Sequence, residues 1–374
     1  DLTPRTPCKA GGNLGHRSGA AGHNGYHNEI KVNAPGIVVG RSGGSFGQVH
    51  FCEKGFWPHN TAMFVTDFKG NDPYFVFYLL KLLNFDSLNS GSAQPSLNRN
   101  YLYPVKAMVP DPSEQKRVVN VIRKIDQKIA LNNQINAELE AMAKLIYDYW
   151  FVQFDFPDAD GKPYKSSGGK MVWSEELKRD IPEGWEPREL CQIANITMGQ
   201  SPAGTSYNAD AVGKLFYQGS TDFGWLFPTA RQYTTEPSRL AKKGDILLSV
   251  RAPVGDMNIA NADCCIGRGL AALNSYQGFD GYLFYVMKYF KQVFDRRNSQ
   301  GTTFGSITKD DLHTLKVAYP SLQVLTDFES LVSPMNKMIF TRSSENQELA
   351  YLRDWLLPML MNGQVTVATP KNTG

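Results

Sequence analysis

The heptapeptide Ser-Leu-Asn-Arg-Asn-Tyr-Leu at positions 96–102, followed by Pro110, returns 210 positions later as Ser-Ile-Thr-Lys-Asp-Asp-Leu at 306–312, followed by Pro320. The same offset carries Gly91 onto Gly301, Ile125 onto Met335, Ile129 onto Ile339, Asn136 onto Asn346 and Glu138-Leu139 onto Glu348-Leu349. Further upstream the offset is 208, and it pairs Gly36 with Gly244, Gly47 with Gly255, Asp72 with Asp280 and Tyr74 with Tyr282. A period of this length excludes a solenoid, whose units run to roughly 20–50 residues, so each copy must be a domain with its own core. Both copies lead into a long helical pattern, and the chain reads as globule, helix, globule, helix.

The 374 residues, 42% of them hydrophobic and 12% aromatic, suffice for two or three packed cores. Net charge is only +3, so affinity for a polyanion must come from local basic loops. The five cysteines (Cys8, Cys52, Cys191, Cys264, Cys265) are an odd number with no C-x-x-C pair, which predicts reduced thiols in a cytosol and no zinc site. No apolar run approaches the ~18 residues of a membrane span, and no secretory leader opens the chain. The chain does not open on Met, and Trp185 shifted back by 208 falls before residue 1, so the first globule is expected to lack its start.

Residues 1–35, rich in Gly, His and Asn, predict a loop, whereas 36–40, 49–51 and 244–250 are aliphatic runs with the character of strands. Residues 72–83 and 279–290 predict short helices, and each globule is read as α+β. The expected boundaries are a first globule at 1–110, a long helix at 111–153, a linker at 154–184, a second globule at 185–320, a second long helix at 321–363 and a tail at 364–374. Pro157, Gly161-Lys162-Pro163, Ser166-Ser167-Gly168-Gly169 and Pro182 give 154–184 its linker composition.

Ser113 is the expected N-cap of the first long helix. Its seam runs through Ile122, Ile125, Ile129, Asn132, Asn136, Leu139, Ala143 and Ile146 at steps of three and four. The second seam is read as Phe328, Leu331, Met335, Ile339, Arg342, Asn346, Leu349, Leu352 and Leu356. Each is apolar at its ends and polar at its waist, which suits two antiparallel coiled-coil helices with opposed midpoints, the polar pairs fixing register. The alternative is a helix that packs only on its own globule. Pro334 predicts a kink or a delayed helix start.

Motifs for chemistry fail one by one. Val39-Gly40-Arg41-Ser42-Gly43-Gly44-Ser45-Phe46-Gly47 follows a strand but lacks the G-K-[ST] ending of a phosphate loop, and a turn between strands is the better reading. Asn71-Asp72-Pro73-Tyr74 has no glycine-rich cofactor loop before it and reads as a helix start. The carboxylates of Asp111 and Glu114 sit where helix capping explains them. His23 and His27 are four apart but lie in the Gly-Asn stretch without a third ligand, which favours a loop over a metal site. No catalytic group and no metal ligand emerges.

The constructive signal is polar and basic side chains in glycine-rich loops at broadly matching places in both copies. Copy one offers His16, Arg17, His23, Arg41, Gln94, Asn98 and Arg99; copy two offers Gln218, Ser220, Thr221, Arg251, Arg268, Thr303 and Lys309. Arg suits guanine, Asn and Gln suit adenine, and Ser and Thr suit several partners including phosphates. Each alone reads better as an ordinary loop residue. Their recurrence with changed identities points to two modules reading two different half-sites.

Gly36-Ile37-Val38-Val39-Gly40-Arg41, Phe56-Trp57-Pro58-His59-Asn60-Thr61 and the run from Asn89 to Arg99 resemble the specificity subunit of a type I restriction-modification system. So do Pro112 to Arg117 entering the first long helix, Trp150-Phe151 with Gly161-Lys162-Pro163-Tyr164 after it, and Ile181-Pro182-Glu183-Gly184-Trp185. The resemblance covers nearly the whole chain. It implies two target-recognition domains, each binding half of a split double-stranded DNA sequence, held apart by two antiparallel helices that dock two modification (methyltransferase) subunits. Restriction subunits would complete the complex. S-adenosylmethionine, ATP and magnesium are expected on those partners and none on this chain, which would be a cytoplasmic, non-catalytic subunit with no membrane contact. A helix of roughly 35 residues spans about 50 Å, on the order of one and a half DNA turns, and would act as a ruler. Lys116, Arg117, Arg123, Lys124, Lys128, Lys337 and Arg353 are read as exposed flanks facing partners, DNA or solvent. The competing readings are a stand-alone methyltransferase or nuclease, which would need a cofactor loop or carboxylate cluster, and a coiled-coil adaptor that binds proteins.

Overall fold

In the first copy the buried run Gly-Ile-Val-Val-Gly of Gly36–Gly40 forms the middle of a three-stranded antiparallel sheet, flanked by Val49–Cys52 and Ala62–Phe64. The computed structural model describes residues 16–19, 23–27, 29–91, 93–299 and 305–367. The chain divides into two compact units, Asp1–Ile129 with Glu348–Gly374, and Ala130–Gln347.

In the first unit the sheet is followed by a helix, Pro73–Lys81, whose start is set by Asp72: its carboxylate accepts from the amides of Tyr74 and Phe75, and Pro73 supplies a preset first turn. Phe75 and Tyr78 bury against Val118, Val119 and Ile122 of the first long helix, Pro112–Tyr147, and against Leu357, Leu360 and Met361 of the second, Leu322–Met361. Asp126 accepts from the Tyr78 hydroxyl at 2.5 Å and from Arg353 at 2.9 Å. Arg353 therefore sits in the seam rather than on an exposed flank, and Arg123 lies over the Tyr74 ring at 3.8 Å. The first long helix is capped by Asp111, which accepts from the amides of Ser113 and Glu114, so the cap stands two residues before the expected Ser113.

The expected loop at 1–35 is corrected at 16–19 and 23–27. His16–Gly19 and His23–His27 pair as antiparallel strands, and the first of them lies parallel to Trp57–Pro58. Pairing with a partner strand decides the conformation here, where local composition favours a turn.

The second unit repeats the scheme. Met257–Ile259, Ile246–Ser249 and Leu270–Ser275 stand in the same order as the three strands of the first copy, with Ala194–Met198 added at the edge. Helix Asp280–Ser299 takes the place of Pro73–Lys81 and runs beyond the expected 279–290; Lys309–His313 takes the place of Arg99–Leu102. Even the Tyr78–Asp126 bond has its echo, since the Tyr285 hydroxyl donates to Asn336, the residue 210 positions after Asp126, at 3.1 Å. A second, five-stranded sheet runs in the order Tyr207–Asn208, Tyr233–Thr234, Lys214–Tyr217, Cys264–Ile266, Leu240–Ala241, and its parallel pair Lys214–Tyr217 with Cys264–Ile266 answers to His16–Gly19 with Trp57–Pro58 in the first copy.

Residues 154–184 are not a free linker. Phe154 and Phe156 are buried against Trp185, with ring centroids at 5.4 and 5.1 Å, and Met171–Ser174 pairs with Arg179–Pro182 as a hairpin. The prolines and glycines turn a packed segment; the aromatic residues between them anchor it.

The helices meet antiparallel in each unit. In the first, 118–122 lies against 357–361; in the second, Asn132 donates to Glu345 and Asn346 at 2.8 and 2.9 Å, and Asn136 donates to Ser343 at 3.2 Å. Ile122 and Ile339 are buried, while Ile125, Ile129, Leu139, Ile146, Met335, Leu349 and Leu356 are half-buried. Three seam positions are out of phase. Leu331 is 46% exposed where Val332 is buried, and Leu352 is 40% exposed beside the seam residue Arg353. Ser343, not Arg342, receives Asn136. Pro334 neither delays nor interrupts the helix, which begins at Leu322. Pro334 and Ser330 are exposed, so water can satisfy the carbonyl that the missing N–H leaves open.

Candidate nucleic-acid interface

In the second unit a series of backbone hydrogen bonds carries several sequence-predicted residues to one edge. Strand Lys214–Tyr217 ends at Gln218; Gly267 N–H donates to the Tyr217 carbonyl at 2.8 Å and Gly269 N–H to the Gln218 carbonyl at 3.2 Å. Val250 N–H then donates to Gly269 at 3.0 Å, Ile307 N–H to Val250 at 2.8 Å, and Arg251 bridges to Ser306. Gln218, Arg268, Arg251 and Lys309 are thus gathered along adjoining segments, all exposed. The glycines are needed here. A Cβ on Gly267 would come within 2.8 Å of Gln218 Oε1, and one on Gly269 within 2.7 Å of the Gln218 carbonyl. Ser201 fixes the Gln218 amide, accepting from Nε2 at 2.9 Å and donating to Oε1 at 3.0 Å.

Beside this edge opens a cavity of about 580 Å³, lined by Tyr207, Asn208, Ala209, Gln218, Gly219, Thr221, Asp222, Arg231 and Gln232. Tyr207 stacks on Phe216 at 4.9 Å and donates to the Pro202 carbonyl, which makes it a rigid wall. Asn208 spends its amide on its own turn, accepting from Asp210 and Val212. Asp222 accepts from Arg231 Nε at 2.5 Å; the carboxylate side chain is 12% exposed and the guanidinium side chain 58%. Ser220 begins a short turn and does not line the cavity. Arg231, Asp222 and Gln232 escaped the sequence reading because their stretch carries no repeat and no glycine-rich loop signal.

The first unit has a smaller counterpart. Leu97 N–H donates to the Arg41 carbonyl at 2.7 Å and Gly43 N–H to Pro95 at 3.2 Å, which brings Arg41 and Gln94 to the segment that enters the helix at Arg99. Arg99 stands 210 positions before Lys309, and Ser42, which bridges to Ser96, answers to Arg251, which bridges to Ser306, so Arg41 lies one residue before the place of Arg251. Asn98 is a helix cap, accepting from Asn100 N–H at 3.0 Å, as Thr308 caps the equivalent helix by accepting from Asp311 N–H. Its acceptor is committed to the backbone. His16, Arg17 and His23 belong to the paired strands His16–Gly19 and His23–His27, so His23 and His27, read as loop residues, lie on a paired strand. Thr303 lies outside the described residues.

Among the described residues no group of three or more His, Cys, Asp or Glu could hold a metal ion, and no helix is long and apolar enough to cross a membrane. Burial pushes the Cys264 thiol up to about 12, which makes it a packing group rather than a nucleophile. A family model described as the type I restriction modification DNA specificity domain matches residues 9–141 and again 182–327, once for each globule. The chain belongs to this family. It is similar to the MjaX type I restriction enzyme specificity subunit of Methanocaldococcus jannaschii, at 31% identity over 80% of this chain and 69% of that one. The MjaIX specificity subunit of the same organism is 25% identical over 78% of this chain and 69% of its own length, and the HindI specificity subunit of Haemophilus influenzae 21% identical over 72% and 71%. The crystal structure of the type I restriction-modification S subunit from M. genitalium shares the fold, with a TM-score of 0.58 at 18% identity over 96% of this chain and 90% of that one.

Proposed function

We infer that this chain is the DNA sequence-specificity subunit of a type I restriction-modification complex, each globule reading one half of a bipartite target. The observation that carries the reading is the doubled edge, with Arg99 in one DNA specificity domain and Lys309 at the matching position of the other, and with Arg41 and Arg251 on the corresponding segments that pair beside them. Such cations supply sequence-independent attraction to phosphates, and the differing polar residues around them supply the base readout. The long helices, of 36 and 40 residues, set the gap between half-sites. Two modification subunits dock on them and restriction subunits join the assembly. Methyl transfer and strand cleavage reside on those partners, which bring S-adenosylmethionine, ATP and magnesium, and the complex works in the cytoplasm.

Selection from random duplex DNA by the full chain with its modification subunits tests the reading. A bipartite motif with a fixed gap is expected; a single continuous motif, or none, overturns it. The adaptor reading separates on salt, because phosphate contacts make the affinity fall steeply as salt rises.

A further inference from the structure

We propose that Arg231, held in place by Asp222, reads a guanine in the half-site of the second globule. This rests on the reading of the chain as a DNA specificity subunit. A carboxylate in a cavity facing a polyanion would ordinarily repel it. Asp222 instead has a dedicated partner: Oδ1 accepts from Arg231 Nε at 2.5 Å and is in ion-pair contact with Nη2. Those contacts occupy one edge of the guanidinium. Nη1 and the remaining Nη2 hydrogen stay available on a side chain that is 58% exposed, and together they form a fork of the span needed for guanine O6 and N7. The paired carboxylate offsets the guanidinium charge, which weakens attraction to phosphate while leaving the directional donors intact. Asp222 thereby acts as a positioning residue.

The pair is also mechanically braced. It stands at the base of a hairpin closed by the Phe223–Pro228 bridge and by Thr229 N–H donating to the Asp222 carbonyl at 2.8 Å. Asn258 holds Gly224 on both sides, accepting from its N–H at 3.0 Å and donating to its carbonyl at 2.9 Å. Phe227 packs on the Phe340 ring at 4.7 Å. A base-reading arginine on such a support loses little conformational freedom on binding.

Motif selection with the assembled modification complex, repeated for Arg231→Ala, Arg231→Lys and Asp222→Asn, decides the matter. We expect Arg231→Ala and Arg231→Lys to lower a guanine preference at one position of one half-site by about tenfold or more, with the other half-site and the gap unchanged. Asp222→Asn should relax the same position and no other. An unchanged motif in Arg231→Ala, full retention by Arg231→Lys, or uniform weakening on all sequences with a shallower salt dependence would each overturn the proposal, the last by making Arg231 a phosphate contact. If the unsubstituted complex selects no bipartite motif, the parent reading falls and takes this one with it.

Discussion

Asp126 serves two clients, the Tyr78 hydroxyl and the Arg353 guanidinium, beside an apolar cluster of eight buried residues. Asp126→Ala strands both, and unfolding in denaturant should show a loss of about 1–3 kcal/mol. Asp126→Asn should cost less, because copy two already runs the same tyrosine contact with Asn336. A second residue links stability to pH. The Ser166 hydroxyl and amide, at 2.6 and 2.7 Å, hold the Asp155 carboxyl below its ordinary value. Its contribution is present above the usual carboxylate range and lost as pH falls through the lowered value. Asp155→Asn should therefore be less stable than the parent at neutral pH, and the difference should close on acidification, as read from unfolding midpoints across an acid series.

At the scale of elements, the polar waist sets the partnership of the long helices. Among the described residues Asn132 Oδ1 and Asn136 Oδ1 are buried without a hydrogen-bond partner, so this waist costs stability while specifying which residues face one another. Replacing Asn132 and Asn346 together by leucine should raise the thermal midpoint and broaden the population into more than one register or oligomer, visible by native mass spectrometry. The antiparallel pairing was legible because apolar ends and polar middles recur on both helices. Its phase was less so: Leu331 and Leu352 looked like seam residues, but Val332 and Arg353 hold those places, the latter because Asp126 waits opposite. Hydrophobicity alone cannot place an arginine in a seam. The pairing of His16–Gly19 with His23–His27 and the hairpin at 171–182 were hidden for a related reason, since partner strands and anchoring aromatics override glycine-rich composition. Within the candidate interface, the repeat exposed Arg41, Arg99, Arg251 and Lys309, while the Asp222–Arg231 pair joins positions nine apart across a hairpin and left no periodic trace.

For the whole molecule, the proposed function makes helix length a property of the DNA site. Removing one heptad from each long helix at facing positions shortens the pair by about 10 Å, on the order of three base pairs. Motif selection should then return both half-sites unaltered and the gap reduced by that amount; altered half-sites with the old gap would refute the ruler. The five-stranded sheet of the second unit has a further consequence. Its strands bring Gln218, Asp222 and Arg231 to the cavity, whereas Tyr285–Asn336 and the Asn132–Asn346 contact belong to other elements. Lineages could therefore rewrite what is recognised by mutating one module, with the joints that assemble the protein shielded from the change.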